Sequence, residues 1–262
     1  MKKVLTIAGS DCSGGAGIQA DIKTITMHGC YAMSVITALT AQNTTGVFGI
    51  EQTSDDFISA QLDSVFTDIF PDAVKIGMVY GNNSAKVIAD RLSLYNAKNI
   101  VTDPVMVSTS GSRLISDEGL ENLKKYLLPI STLVTPNVPE AEILSSVNIK
   151  TVDDMKKAAR IIAEKYGCAV LCKGGHLLDC SDDLLYSDGK FYSFPSAKID
   201  NPNTHGTGCT LSSAIASNIA LGFDIPKAVE QAKAYVTTAI SKKLDLGKGR
   251  GPLMHNYSLN EN

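Results

Sequence analysis

The stretch VLTIAGSDCSGGAG, residues 4–17, predicts how this chain begins to fold. Residues 4–8 form a short apolar run of the kind that becomes a buried strand, and residues 9–17 follow as a glycine-rich turn. A helix should begin near Gly17 or Ile18. Such a turn lets backbone N–H groups approach a ligand closely, with the positive end of a helix dipole behind them. The same residues would also suit a tight turn that binds nothing.

This turn does not match the common nucleotide-binding motifs. Gly9 and Gly14 have the spacing of a P-loop, but Gly15 and Ala16 stand where that motif requires Lys and Ser or Thr. The pattern GxGxxG is absent as well, which argues against a dehydrogenase.

Short apolar runs alternate with stretches of helical periodicity along the rest of the chain. This alternation indicates βαβ units and a mainly parallel sheet, which is the α/β class. Further buried strands are predicted at residues 31–38, 74–76, 99–102, 133–135 and 169–172. Residues 184–194 instead read as two runs joined by Asp188 and Gly189, the strongest short-range signal for a β-hairpin, which should cap one edge of the sheet.

Two helix starts are also visible in the sequence. Residues 54–56, Ser-Asp-Asp, suit the N-terminus of a helix that carries Ile58 and Leu62 on one face. Thr151 and Asp154 form an acidic variant of the capping box for a helix that Gly167 should end.

Composition narrows the class of protein. The 262 residues contain no Pro/Ser-rich linker or repeat, so we expect a single domain over residues 1–262. A net charge of -3 and 6% aromatic residues provide neither a basic surface nor a stacking platform for nucleic acid. No apolar run reaches the length of a membrane span, and residues 1–11 do not match a secretion signal, so we expect neither membrane insertion nor export. The six cysteines lie mostly in apolar runs without a CxxC pair, which favours a reduced, cytoplasmic location.

Charged residues follow several predicted strands, at the edge where open parallel sheets bind ligands. Asp103 and Glu140 are candidate Mg²⁺ residues, since this ion prefers oxygen ligands and is often shared with nucleotide phosphates. Lys173 ends the run AVLCK, where a lysine is costly unless it faces an anion or extends to solvent. The polar run VSTSGSR, residues 107–113, is typical of a flap over a site or of an ordinary loop.

A second glycine cluster, THGTGCT at residues 204–210, precedes an apolar helical stretch. Consecutive N–H groups at a helix N-terminus favour an anion such as a transferring phosphoryl group. Cys209 would lie in the first turn, where the dipole should lower its pKa and let the thiolate act as a base. A small residue packing under the loop is the alternative role.

An anion cradle, a metal carboxylate, a cation and a base are the parts that phosphoryl transfer needs. All four are predicted at one edge of one sheet, without a Walker A motif. The sequence therefore indicates a kinase of another fold type.

Nine ordered phrases resemble the bacterial hydroxymethylpyrimidine/phosphomethylpyrimidine kinases of the ribokinase-like superfamily, from about Val4 to Pro252. They are LTIAGSDCSGGAGIQADIKT, SVITALTAQNT, QLDSVFTDI, KIGMV, DPVM, TPNVPEAE, KGGH, NTHGTGCTLSSAIA and GKGRGP. The resemblance implies a three-layer α/β/α sandwich, ATP and Mg²⁺, and a homodimer. It also implies two successive phosphorylations in thiamine biosynthesis, of the alcohol and then of its monophosphate.

The resemblance implies roles for particular residues. Gln42 matches the residue that contacts the pyrimidine, and Cys209 replaces the catalytic Asp more usual in the superfamily, which disfavours a sugar substrate. The other matches are Gly9, Met78 and Val105 for the ring pocket, Asn137, Lys173, Gly206, Thr207 and Gly208 for ATP and its phosphates, and Asp103 and Glu140 for the metal. Lys173 and Cys209 are the candidate catalytic residues.

Two other functions stay open. Pyridoxal kinases share the GTGC phrase and phosphorylate a similar hydroxymethyl group, although Ser108 stands in the flap where one pyridoxal-active branch has a second cysteine. A catalytically silent nucleotide sensor would keep the fold but should have lost Cys209, Lys173 or Glu140, and none is lost.

Overall fold

The computed structural model describes residues 1–107, 111, 114–174, 182–195 and 199–260. Nine strands in these residues join one sheet: β1 Lys3–Asp11, β2 Tyr31–Asn43, β3 Gly46–Gln52, β4 Ala73–Ile76, β5 Ile100–Thr102, β6 Leu133–Val134, β7 Ala169–Cys172, β8 Asp183–Ser187 and β9 Lys190–Phe194. The helices are α1 Gly17–Met27, α2 Asp55–Phe66, α3 Ser84–Leu94, α4 Asp117–Asn122, α5 Val138–Ser145, α6 Val152–Tyr166, α7 Thr207–Ala220 and α8 Ile225–Ser241. A π-helical turn at Leu123–Leu127 and 3₁₀ turns at Leu128–Ile130 and Tyr257–Asn260 complete the described elements.

The strand order is β3-β2-β1-β4-β5-β6-β7-β8-β9. The six strands from β2 to β7 in this order run parallel, whereas β3 pairs with β2, and β8 with β7 and β9, in the antiparallel sense. The mainly parallel sheet and its hairpin edge are thus confirmed. The antiparallel strand β3 is absent from the sequence-based prediction, because its residues, GVFGIEQ, are all exposed or half-buried, include two glycines and show no buried run.

Helices cover both faces of the sheet, which makes the predicted three-layer sandwich. Side chains alternate along a strand, so Leu5 and Ile7 of β1 join the core beneath α2, α3, α5 and α6, whereas Val4 joins the core beneath α1, α7 and α8. No helix in the described part of the chain has the length and apolar character needed to span a membrane.

The local signals at the helix ends are confirmed. The Ser54 side chain accepts a hydrogen bond from the N–H of Phe57 at the start of α2. Thr151 and Asp154 form the capping box of α6, and Gly167 ends this helix with a left-handed backbone. The carboxyl ends of parallel strands lie at one edge of a sheet. The residues that follow β1, β4, β5 and β7 are therefore on the same side of the molecule.

Candidate active site

The two glycine-rich segments meet at this edge. We name residues 9–17 the first glycine turn and residues 204–210 the second glycine turn. Gly206 has a left-handed backbone, with φ of 80°, and a Cβ there would collide with the carbonyl oxygen of Gly15. Only glycine allows this approach, so the second turn packs directly on the first.

Helix α7 begins within the second glycine turn. Gly206 is its N-cap, Thr207 its first residue, and the Thr207 hydroxyl donates to the carbonyl of Thr204 at 2.8 Å. Gly208 and Cys209 follow in the first turn. N–H groups in a first helical turn have no partner within the helix and carry the positive end of its dipole. Thr207 and Gly208 are therefore placed where a phosphate group would be favoured.

An ion pair lies beneath this helix start. Lys173, directly after β7, donates from Nζ to Oδ1 of Asp103, directly after β5, at 2.8 Å. A Cβ on Gly208 would lie 3.2 Å from Asp103 Oδ2 and 3.6 Å from Lys173 Nζ. Burial would lower the pKa of Lys173, but the nearby carboxylates of Asp103 and Glu140 outweigh burial and raise it. The lysine is thus a permanent cation beside the anion-favouring turn.

Asn137 and Glu140 form the capping box of α5. Asn137 Oδ1 accepts from the Glu140 N–H, and Glu140 Oε2 accepts from the Asn137 N–H, both at 2.9 Å. Glu140 is 5% exposed, and its other oxygen is 3.4 Å from the N–H of Met106. Burial raises the pKa of Glu140 to about 7, with Asp103 adding to the rise and Lys173 opposing it.

The donor chemistry of Asp103 and Glu140 suits Mg²⁺, which takes hard oxygen ligands and keeps several waters. Asp103 Oδ2 faces Gly208 of the second glycine turn. Among the described residues no group of three or more His, Cys, Asp or Glu side chains is arranged to hold an ion. A magnesium ion here would depend on one or two carboxylates together with water and phosphate oxygens, as is usual for this metal.

Predicted ring-pocket residues come together beside these groups. Met78 and Val105 belong to a small apolar cluster with Ala38 and Leu114. Gly9 lies against the Met78 side chain, since a Cβ at Gly9 would contact the methionine Cε. This cluster is separate from the two main cores, and its apolar side chains are of the kind that lines small-molecule sites.

Gln42, the predicted pyrimidine contact, is the last residue but one of β2 and is half-buried. Its Nε2 atom lies 3.2 Å from Nε2 of His205 in the second glycine turn. The same imidazole nitrogen is 2.8 Å from Asp11 Oδ2 in the first glycine turn. His205 therefore links Gln42 and the second glycine turn to Asp11 of the first glycine turn.

The expected low pKa of Cys209 is wrong. Burial raises the pKa of this thiol to about 11, although the positive charge of Lys75 and the N–H of Gly17 act in the opposite direction. The loss of hydration outweighs the helix dipole because the thiol is packed among protein atoms, even though the residue retains some exposed surface. The thiol is protonated at neutral pH in this structure.

Sequence reasoning missed a fully buried ion pair next to Cys209. Lys75 Nζ lies 2.9 and 2.8 Å from the two carboxylate oxygens of Asp21, and neither side chain is exposed. Thr6 and Ser213 donate to the same carboxylate at 2.6 and 2.7 Å. The signal was a lysine inside the apolar strand AVKI, because such a residue is almost never fully buried without a partner.

Asp11 and His205 were also present in the quoted motifs without a role. Asp11 accepts hydrogen bonds from the N–H groups of Ser13, Gly15 and Ala16, at 2.9, 3.1 and 2.8 Å, and so shapes the first glycine turn. The flap is the remaining predicted feature, and five of its residues, Ser108 among them, lie outside the described residues.

Comparison with known proteins identifies the family. The family model described as phosphomethylpyrimidine kinase matches residues 11–254. The chain belongs to this family. It is 46% identical over 255 residues to the hydroxymethylpyrimidine/phosphomethylpyrimidine kinase of Rhizobium meliloti, covering 96% of each chain. It is 48% identical over 253 residues to the thiamine biosynthesis bifunctional protein ThiED of Geobacter sulfurreducens, of which it spans 52% of the length.

Solved structures of two kinds resemble this kinase-family chain. The phosphomethylpyrimidine kinase of Clostridium difficile has a TM-score of 0.84 at 48% identity, covering 92% of this chain and all of the other. The pyridoxal kinase of Staphylococcus aureus in complex with pyridoxal has a TM-score of 0.91 at 37% identity, covering 100% and 96% of the two chains. The same fold thus occurs in kinases that are named for two different acceptors.

Proposed function

We propose that this chain transfers the γ-phosphoryl group of ATP to the hydroxymethyl oxygen of 4-amino-5-hydroxymethyl-2-methylpyrimidine, and then transfers a second one to the resulting monophosphate. The product is the diphosphate used in thiamine biosynthesis. The proposal treats residues 1–262 as one kinase domain, in line with the single sheet of the described strands.

The packing of Gly206 on Gly15 is the observation that carries the proposal. It brings the start of α7, which favours phosphate, against the turn that leads to the ring pocket of Gly9 and Met78. An acceptor hydroxymethyl group between the two turns would lie next to the phosphoryl group that it attacks. Positioning of this kind supplies much of the rate in phosphoryl transfer.

Charge stabilisation is assigned to Lys173 and to the positive end of α7. Negative charge on the transferring phosphoryl oxygens would be met by the Lys173 ammonium and by the start of α7. We assign ATP contacts to Asn137, Gly206, Thr207 and Gly208. Asp103 and Glu140 are the residues that would hold Mg²⁺, which when bound neutralises phosphate charge.

Cys209 is the proposed acceptor of the hydroxymethyl proton. As the alcohol oxygen forms its bond to phosphorus, its O–H proton would pass to the sulfur of the Cys209 thiolate and form the neutral thiol, while the ADP oxygen leaves with the electrons of the broken P–O bond. The raised thiol pKa makes the thiolate a strong base but a scarce one at neutral pH. No base is needed when the acceptor is an ionised phosphate, so Cys209 should matter more for the first transfer than for the second.

An ADP-release assay with three acceptors tests the function. Purified chain, ATP and Mg²⁺ are combined with the hydroxymethylpyrimidine, with its monophosphate or with pyridoxal, and ADP is measured through a coupled reaction. ADP that depends on each of the first two acceptors supports the proposal. Absence of ADP with both would overturn it. ADP with pyridoxal alone would show that the chain is a pyridoxal kinase instead.

Pyridoxal kinase activity, alone or as a second activity, is the second candidate. The TM-score of 0.91 to the pyridoxal kinase of Staphylococcus aureus supports this second activity. The aminopyrimidine is the preferred acceptor because the family model and the relatives of this chain carry that name.

We also infer a cytoplasmic homodimer. Five cysteines among the described residues are free, which suits a reducing compartment: Cys12, Cys30, Cys168, Cys172 and Cys209. Strand β3 forms one edge of the sheet and exposes Phe48 by 71%, next to strand β2, which exposes Leu39 by 52%. An exposed apolar edge strand is costly in water, and a second copy of this chain would cover it.

A further inference from the structure

His205, in the second glycine turn, faces the first glycine turn and Gln42 near the end of strand β2. Its Nε2 atom is 2.8 Å from Asp11 Oδ2 and 3.2 Å from Gln42 Nε2. Its ring also covers Gly15, where a Cβ would collide with the imidazole Cδ2, and its backbone N–H donates to the Gly251 carbonyl at 3.1 Å. The imidazole is therefore held on several sides and is 12% exposed.

Asp11 determines which nitrogen of this ring carries a proton. Burial alone would raise the pKa of Asp11, but hydrogen bonds from His205, Ser13 and Ala16 outweigh burial and lower it to about 2. An ionised carboxylate can only accept hydrogen bonds. The 2.8 Å contact with Asp11 therefore requires a proton on Nε2 of His205.

The protonated Nε2 in turn selects one end of the Gln42 amide. A nitrogen that donates to Asp11 has no lone pair for an NH₂ group, so its favourable neighbour is the oxygen of Gln42, which after a half-turn of the amide shares the single Nε2 proton with Asp11. Thr40 does not oppose this half-turn. Its hydroxyl is 3.4 Å from Gln42 Oε1, but its single proton is better placed on the Ser10 carbonyl at 2.9 Å. The NH₂ end of Gln42 is then turned away from His205.

We propose that His205, oriented by Asp11, is a positioning residue that fixes the Gln42 amide for recognition of an aminopyrimidine. The inference rests on the proposed function. An aminopyrimidine edge offers a ring-nitrogen acceptor beside an amino donor. The fixed amide meets both, because its NH₂ donates to the ring nitrogen while a second lone pair of Oε1 accepts from the amino group. A pyridine without that amino group can make only one of these bonds.

Binding measurements on paired variants test this role. We expect His205→Phe to weaken hydroxymethylpyrimidine binding about tenfold, as expected for loss of a buried hydrogen bond, and to leave binding of the ATP analogue AMP-PCP within about threefold. His205→Gln should recover most of the affinity, since its amide can donate from nearly the same position. His28→Phe is the matched control, because His28 bonds the Thr24 carbonyl at the far end of α1 and should leave both affinities unchanged.

A double-mutant comparison separates positioning from general structural support. If His205 acts through Gln42, adding His205→Phe to Gln42→Ala should weaken pyrimidine binding no further. Multiplying losses, or an unchanged affinity in His205→Phe beside a weakened one in Gln42→Ala, would overturn the inference while sparing the proposed function. A parent chain that fails to bind the pyrimidine at all would overturn both.

Long-range ¹H–¹⁵N NMR of the unmodified chain provides a readout that needs no folded His205→Phe variant. The His205 ring signals are identified by their loss in His205→Gln. The inference predicts a proton on Nε2 at neutral pH. A neutral ring protonated only on Nδ1 would remove the donor to Asp11 and overturn the inference.

Discussion

Replacing Lys75 by methionine should destabilise the fold strongly. The substitution would leave the Asp21 carboxylate charged and fully buried with only the hydroxyls of Thr6 and Ser213 as donors. It removes both lysine contacts, at 2.9 and 2.8 Å. Breaking a buried pair by removing one partner costs about 3 to 5 kcal/mol. That is a large part of the roughly 5 to 15 kcal/mol that typically stabilises a domain.

Urea unfolding followed by circular dichroism measures this loss through linear extrapolation. The double variant Lys75→Met with Asp21→Asn removes both charges and keeps a polar partner for the hydroxyls, so it should recover at least about 2 kcal/mol of the loss. Lys86→Met breaks an exposed pair with Asp90, which solvent screens, and should change the stability far less than Lys75→Met does. Equal losses in the single and double variants, or a loss below about 1 kcal/mol in Lys75→Met, would show that the fold does not depend on pairing of the Asp21 charge.

The remaining predictions concern the site and the proposed dimer. Cys209→Ala should bind both substrates yet lose about a hundred- to ten-thousand-fold in the rate of ADP release with the alcohol, and Cys209→Asp should recover part of it. A rate within about threefold of the parent would contradict the base assignment. Burial raises the pKa of Cys209 to about 11. Only thiolate reacts, so alkylation of the Cys209 peptide by iodoacetamide should rise about tenfold per pH unit from about pH 7 to about pH 9, and a plateau in that interval would contradict a protonated thiol. Gly206→Ala should lower stability more than Gly167→Ala, because both positions have a left-handed backbone but only the first would collide with Gly15. Equal losses in urea unfolding would show that this packing is unimportant. Phe48→Glu should shift the chain from dimer to monomer in sedimentation equilibrium, and an unchanged mass would place the interface elsewhere.

Much of the fold is predictable from local patterns. Apolar runs flanked by turn residues predict six strands, and Asp188 with Gly189 predicts the hairpin at the sheet edge, because these signals depend only on neighbours in sequence. Strand β3 is not predictable in this way, since it is held by pairing with β2 and none of its own residues is buried. Its existence depends on the preceding strand continuing to Asn43.

The sequence predicts which residues form the site better than it predicts their pKa values and contacts. The motifs bring Lys173 to Asp103 as expected for a lysine at a strand end that needs an anion. They do not predict the thiol pKa of Cys209, because the helix dipole is a local property whereas burial depends on everything packed around the sulfur. The contacts of His205 likewise join residues that are 194 and 163 positions apart in the chain. Long-range contacts of this kind leave no spacing signal in a single sequence.

Identification of the reaction products by mass spectrometry tests the central claim most directly. The purified chain is incubated with ATP, Mg²⁺ and 4-amino-5-hydroxymethyl-2-methylpyrimidine, and the pyrimidine species are followed over time. We expect a monophosphate to appear first and a diphosphate to follow as the monophosphate is consumed. A folded chain that leaves the pyrimidine without any added phosphoryl group would contradict it.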